Sequence, residues 1–160
     1  SVTRINRRAG GATRLVFMAP IVHAANARID APVKLQESSM SVYVDGFVIP
    51  VPKKNLAAYR RLARKYDALW IKHGALDCHE CIADDVKPGK WTSFPQAVKL
   101  KPGELVVFSW ITYKSRRHRD AVNKKVMADP LMANVNAKSM PFDGKRMIFG
   151  GFKEMLALKP

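Results

Sequence analysis

The chain has 160 residues, nearly half of them apolar, and its 28 Lys and Arg exceed its 13 Asp and Glu to give a formal net charge of +15. This length fits one domain with a hydrophobic core and an appendage, and no uninterrupted apolar run approaches the ~18 residues that would predict a membrane span. Two cysteines exclude a disulfide framework and are typical of a reducing compartment, so we expect a cytoplasmic protein without membrane partners.

A basic extension precedes the part of the chain that shows a folded-domain pattern. Residues 1–39 contain six basic and two acidic side chains. Arg7 and Arg8, an apolar run over 15–22 and small residues at 25–27 are typical of an export signal with a cleavage site. Pro20 interrupts that run, which favours a poorly structured or non-native extension. Both interpretations stay open, and we divide the chain into this extension and a single domain over residues 40–160.

The first elements of this domain are a strand, a helix and a second strand. β-Branched and aromatic residues over 42–51, stopped by Pro50 and Pro52, predict the first strand. Apolar residues at steps of three and four over 55–73 predict a helix with one apolar stripe. Gly74 is the expected left-handed cap at the end of that helix. Residues 76–83 predict the second strand.

The second half of the domain repeats this pattern after a long excursion. Residues 86–103 contain several Pro and Gly residues, which predict a long loop, and within it we expect a short strand near 97–100. The apolar run 105–113 predicts a buried strand, followed by a basic helix from 116 to about 128 that Ser115 caps. A helical turn over 131–135 and a turn at Pro141 lead to a last strand over 146–152. The order β-α-β-β-α-β predicts an α+β, ferredoxin-like fold.

Both faces of the predicted sheet are apolar. The first strand directs Phe47 and Ile49 to one side and Val44 and Val48 to the other, because side chains alternate along a strand. Two helices can cover only one face of such a sheet. The uncovered face is too apolar for a monomer, so we predict a homodimer in which two sheets pack face to face.

Four long phrases of this domain resemble one family. They are YVDGFVIPVPKKNLAAYRRLA, ADDVKPGKWTSFPQAVKLKPGE, VVFSWITYKSRRHRDAVNKKVMADP and MPFDGKRMIFGGF. In these phrases residues 44–152 resemble the YbaA-like family of small uncharacterised bacterial proteins. The resemblance implies a ferredoxin-like, dimeric α/β-barrel and supplies no established activity, so no active-site residues carry over from it. Residues 1–39 fall outside it.

Asp45 and Arg146 form the first candidate pair. Asp45 lies within an apolar strand, and a carboxylate there must be paired or have a shifted pKa. Arg146 begins the last strand, which neighbours the first in this fold, so we expect the two side chains to meet. They would act either as a pocket acid with its ligand-binding partner or as a structural ion pair.

Two histidines and several aromatic residues are further candidates for a cleft between helix and sheet. His73 and His118 lie on the predicted buried stripes of the two helices, where a histidine can act as a base or remain a hydrogen-bonded core residue. With Asp45 they form the catalytic candidates. The ligand-binding candidates, which could equally be plain core, are Phe94, Trp110, Tyr113 and Arg146.

The sequence predicts neither a metal nor a cofactor. Cys78 and Cys81 lie three apart on a strand, so they point to opposite faces, about 10 Å apart at ~3.3 Å per residue. That separation is too long for a disulfide, and zinc would need further ligands. No Gly-rich phosphate loop, nucleophile elbow or H-E-x-x-H pair is present.

A basic surface gives the alternative interpretation. Lys114, Arg116, Arg117 and Arg119 begin the second helix and could contact the phosphates of RNA. Solvated helix charges explain them as well, and the aromatic sheet face that RNA-binding folds expose is here predicted to be closed by the dimer. We therefore favour a dimer that binds a small organic ligand, with cofactor-free isomerase or monooxygenase-like chemistry, over a basic RNA-associated protein. This function is inferred by analogy with proteins of the same fold.

Overall fold

The computed structural model describes residues 36–37, 42–133, 135–136 and 139–159. The predictions for residues 1–35 therefore lie outside the described residues. Within the described ranges, no helix combines the length and apolar character needed to cross a membrane. A short antiparallel pairing joins Gln36–Glu37, at the end of the predicted extension, to Leu158–Lys159 near the C-terminus.

A four-stranded antiparallel sheet forms the centre of the domain, with the strands in the order β2-β3-β1-β4. Its strands are β1 (Tyr43–Pro52), β2 (Asp77–Ile82), β3 (Glu104–Tyr113) and β4 (Ile148–Lys153). The helices are α1 (Leu56–His73), α2 (Phe94–Ala97), α3 (Arg116–Met127) and α4 (Pro130–Ala133), and a 3₁₀ turn (Lys53–Asn55) leads into α1. This is an α+β fold whose order and topology are compatible with the predicted ferredoxin-like arrangement.

The ends of the two long helices follow the chemistry that the sequence indicated. Gly74 ends α1 with a left-handed φ of 116°, and its N–H donates to the carbonyl of Ile71. Ser115 precedes α3 in an extended conformation, and its hydroxyl accepts a 3.1 Å hydrogen bond from the N–H of His118. Both predicted caps are confirmed.

The strand predicted near residues 97–100 is wrong. The chain instead forms one helical turn, α2, because Ser93 accepts a hydrogen bond from the N–H of Gln96 and Pro95 favours the first helical positions. Just after this turn Lys99 adopts a positive φ of 49°. The turn inserts the fully buried Val98 against Val48 and Val106 on the sheet.

The sheet has one covered face and one open face. Helices α1 and α3 pack on the side formed by Ile49 and Val51 of β1 and by Val107, Ile111 and Tyr113 of β3. Among the residues that the structure describes, the opposite side is covered only at one end, by the loop around Val98. Its remaining surface exposes Phe108 by 43% and Phe152 by 62%. The alternation of the predicted strands is thus confirmed, and the open face stays apolar.

Candidate functional site

An apolar cleft of about 240 Å³ lies on the covered side of the sheet, beneath α1. We call it the inner cleft. The side chains that form its apolar walls include Phe47, Ile49, Leu62, Trp70, Ile111 and Met147. Five of these are on α1 and the central strands, so regular secondary structure shapes much of the cleft. A cleft with apolar walls and few polar groups is typical of small-molecule sites, and its volume lies just below their usual range of about 300–1,000 Å³.

A carboxyl group and a phenol meet in the wall of the inner cleft. The Tyr59 hydroxyl donates a 2.7 Å hydrogen bond to Oε2 of Glu80. Tyr59 is buried in the first turns of α1, and Glu80 shares its strand face with Cys78 and Ile82, towards the helices. Because β2 is the edge strand, Glu80 keeps part of its side chain open to solvent while its carboxyl end reaches under α1.

Burial gives this carboxyl group an unusual proton affinity. It raises the pKa of Glu80 to about 7, and the charge of Asp67 adds to the rise, although the hydrogen bond from Tyr59 opposes it. Burial, together with the bond to Glu80, also raises the pKa of Tyr59 above its usual range. Near neutral pH, Glu80 can therefore both donate and accept a proton, whereas Tyr59 remains a hydrogen-bond donor.

Two further titratable groups lie beside this pair. Burial raises the pKa of the Asp67 carboxyl, and it raises the pKa of the Cys78 thiol to about 12, helped by nearby carboxylates. Cys78 is thus held as a thiol, which is a poor nucleophile. Its Sγ lies 3.9 Å from the carbonyl of Asp67. Of the side chains in this wall, Glu80 is therefore the one whose pKa suits proton exchange near neutral pH.

A second, wider depression runs along the other side of α1, between that helix and the edge strand β2. We call it the outer groove. It is lined by Leu56, Cys78 and Ile82 and by three arginines, Arg60, Arg61 and Arg64. Tyr59, Ala63, Asp67 and Glu80 line both the groove and the inner cleft, so the Tyr59–Glu80 bond belongs to a wall that the two share.

The predicted contact between Asp45 and Arg146 is wrong. The register of the sheet places Asp45 opposite Gly151, five residues along the chain from Arg146. Asp45 instead lies 3.6 Å from the guanidinium of Arg119, and burial raises its pKa against that favourable charge. Arg146 binds both oxygens of Glu104 at 2.6 and 2.8 Å, at the start of β3, and holds the pKa of Glu104 below its ordinary value.

The two candidate histidines lie outside the inner cleft. His73 Nε2 is 2.9 Å from the carboxylate of Asp129, which also binds Lys72, just after the end of α3. Nδ1 of His118 accepts a 3.2 Å hydrogen bond from the N–H of Lys114 at the start of α3. The structure thus places His73 at the C-terminal end of α1 and His118 in the first turn of α3, each with a partner outside the inner cleft.

The aromatic candidates divide between the two faces of the sheet. Tyr113 is fully buried among the helices, with its hydroxyl 3.4 Å from Oδ1 of Asn123. Trp110 lies on the open face, where it stacks on His79 and adjoins Phe108, and Phe94 of α2 contacts Phe108 from above. Tyr113, Trp110, Phe94 and Arg146 are therefore not brought into one pocket.

The basic candidates have two different surroundings. Lys114, Arg116 and Arg117 are exposed at the start of α3. Arg119 lies over the ring of Tyr43 and donates a 3.1 Å hydrogen bond to its hydroxyl. The cysteines follow the prediction, with Cys78 facing the helices and Cys81 exposed on the open face. In the part of the chain that the structure describes, no group of three or more side chains is arranged to hold a metal ion.

Sequence reasoning missed Glu80, Tyr59 and Asp67 as a group. A signal was present, because a strand over residues 77–82 that turns Cys78 and Ile82 inward must also turn Glu80 inward. Tyr59 lies on the apolar stripe that predicts α1, and that pattern alone does not distinguish a core tyrosine from one that binds a carboxyl group. Their meeting depends on how α1 crosses the edge strand, which no local pattern encodes.

Comparison with known proteins agrees with the family that the sequence resembled. The chain is 53% identical over 114 residues to the uncharacterized protein YbaA of Escherichia coli K12, across 71% of this chain and 97% of that protein. The YbaA proteins of Escherichia coli O157:H7 and Shigella flexneri match to the same extent. The family model described as "Protein of unknown function (DUF1428)" matches residues 42–144, well over half of the chain. The chain therefore belongs to the DUF1428 family, which includes YbaA.

Proposed function

We propose that this protein is a homodimeric α/β-barrel that binds a small, mainly apolar organic molecule in the inner cleft and moves a proton on it with Glu80. The observation that carries this proposal is the Tyr59–Glu80 hydrogen bond in the wall of an apolar cleft. A carboxyl group with a pKa of about 7 is suited to proton transfer at neutral pH.

Such a site fits cofactor-free chemistry on a carbon acid. The Glu80 carboxylate would take a proton from a carbon next to a carbonyl group, and Tyr59 would hold the carboxyl in place. Return of the same proton to a different carbon completes an isomerisation with no other reactant. A monooxygenase-like reaction would begin with the same proton removal but would need dioxygen as a co-substrate.

The open face of the sheet supports the homodimer. Phe108, Ile148 and Phe152 leave large apolar surfaces exposed there. The strand positions of this face carry no Lys or Arg. β1 contributes Val44 and Val48, β3 and β4 contribute mainly apolar residues, and the edge strand β2 adds Asp77 and His79. A sheet that binds RNA needs cations near its aromatic residues. The chemistry of this face therefore favours a second copy of the same sheet over nucleic acid.

Occupation of the inner cleft can be tested with octanol, a small uncharged amphiphile. We expect isothermal titration to show binding to the wild-type protein and none to Ala63→Phe, because the new ring fills the cleft that Ala63 lines. Ala68→Phe is the matched control, since Ala68 is exposed on the same helix. A wild-type protein that does not bind octanol, or an Ala63→Phe variant that binds it equally well, would contradict the proposal.

A further inference from the structure

Three arginines on α1 have no acidic partner among the described residues. Arg60, Arg61 and Arg64 are exposed and line the outer groove, yet none forms an ion pair with a described carboxylate. Two other cations of α1 have a described partner, one of them acidic and one aromatic. Lys72 binds Asp129 at 3.0 Å, and Lys65 lies 5.6 Å from the ring centre of Tyr66. The groove therefore concentrates unpaired positive charge, even though Asp67 and Glu80 also line it.

The position of these arginines on the helix relates them to the inner cleft. Tyr59, Ala63 and Asp67 recur every four residues and form the stripe of α1 that both cavities share. Arg60 and Arg64 each follow a member of that stripe by one residue and line the groove but not the inner cleft. A ligand that reaches across the stripe would meet apolar walls, then the Glu80–Tyr59 pair, then guanidinium groups.

We propose that the outer groove binds the anionic head of the ligand, so that the molecule this site takes is a small organic anion with an apolar tail. This inference rests on the proposed function and narrows it to a substrate class. Arginine suits such a head, because its planar guanidinium holds a carboxylate or a phosphate by two parallel hydrogen bonds. Two neighbouring arginines at i and i+4 can share one head group.

The carboxyl groups of the shared wall are compatible with an anion nearby. Burial raises the pKa of both Asp67 and Glu80, so at mildly acidic pH they carry less negative charge than free carboxyls would. The repulsion between these carboxyl groups of the protein and an anionic ligand is thereby reduced. A protonated Glu80 can in addition donate its hydrogen to the ligand.

The test compares octanoate and octylphosphonate with octanol, which share an apolar tail and differ in the head. We expect the wild-type protein to bind at least one of the two anions about tenfold more tightly than octanol, which is the scale of one charge-assisted bidentate contact. In the double variant Arg60→Gln, Arg64→Gln this preference should disappear, while octanol binding stays within about twofold. The matched control, Arg116→Gln with Arg117→Gln, removes the same charge from α3 and should keep the preference.

The outcomes separate this inference from the function on which it rests. If octanol binds but neither anion binds more tightly, the anionic head is refuted and the inner cleft stands. The anionic head is also refuted if the preference survives in the double variant Arg60→Gln, Arg64→Gln. It is likewise refuted if the α3 control loses the preference equally, because net charge alone would then explain the preference. If octanol fails to bind the wild-type protein, the proposed function itself is refuted. A preference for octanoate over octylphosphonate, or the reverse, identifies the head group.

Discussion

Glu80 carries a pH dependence that its surroundings impose. Burial raises the pKa of its carboxyl from an ordinary value of 4.5 to about 7 in the folded chain. Between these values the folded state retains a proton that the unfolded state has released. The contribution of Glu80 to stability is therefore fully present below about pH 4.5 and is lost as the pH rises through about 7.

Replacement of Glu80 by Gln should weaken this pH dependence. The amide oxygen of Gln can still accept the hydrogen bond from Tyr59, but it has no proton to lose. We expect the fall in the urea midpoint between about pH 5 and about pH 8 to be smaller in Glu80→Gln than in the wild-type protein. The variant should also be the more stable of the two at the higher pH.

Two comparisons control this measurement. Asp67 lies beside Glu80, its own pKa is raised by burial, and its charge adds to the raised pKa of Glu80, so Asp67→Asn should also make the decline smaller. Tyr59 and Cys78, the other titratable neighbours, have raised pKa values and keep their protons in this window. Asp85→Asn changes an exposed carboxylate and should leave the decline intact. An unaltered decline in Glu80→Gln would show that Glu80 does not titrate near neutral pH.

At the scale of elements, Arg146 joins three segments that are distant in sequence. Its guanidinium binds both carboxylate oxygens of Glu104 at the start of β3, the carbonyl of Lys99 after α2, and Asp143 before β4. The side chains of Arg146 and Glu104 are only 13% and 9% exposed. The cluster thus links the start of β3 to the segment just before β4, and both lie at the same end of the sheet.

Removal of this guanidinium should destabilise the fold. We expect Arg146→Ala to lower the free energy of unfolding by about 3 kcal/mol, because it leaves the carboxylate of Glu104 buried without its partner. Arg146→Lys should lose less, about 1–2 kcal/mol, since it keeps the charge but not the bidentate geometry. Urea unfolding measures both. Lys145→Ala, an exposed neighbour, is the control, and a loss for Arg146→Ala no larger than for this control would refute the assignment.

The same cluster shows which parts of the fold the sequence could predict. Strands β1 and β3 and helices α1 and α3 were predicted to within a residue or two, because periodicity and caps are local properties. The contact of Arg146 was predicted wrongly, because its partner depends on the register between β1 and β4. The contact between Glu80 and Tyr59 was not predicted, for a similar reason. Glu80 and Tyr59 are 21 residues apart and meet only through the packing of α1 on β2.

At the scale of the whole molecule, the two faces of the sheet differ in chemical character. The covered face contains the inner cleft and its titratable groups, and the open face exposes mainly aromatic and aliphatic side chains, with Asp77 and His79 on its edge strand. The described basic residues of α1 and α3 lie in the helix layer, away from the open face. The positive charge that suggested RNA and the aromatic residues that would stack on bases are therefore on opposite sides. This separation is what the dimer interpretation requires.

A charge placed on the open face tests the dimer. We expect Phe108→Asp to raise the dimer dissociation constant by about a hundredfold or more, because the carboxylate would be desolvated between two apolar sheets. Phe149→Asp is the matched control, since Phe149 is an exposed phenylalanine of β4 that points to the helix side. Sedimentation velocity over a range of protein concentrations measures both, and circular dichroism checks that each variant folds. A wild-type protein that stays monomeric, or a Phe108→Asp variant that dimerises as tightly as Phe149→Asp, would show that the open face does not bind a second copy of the chain.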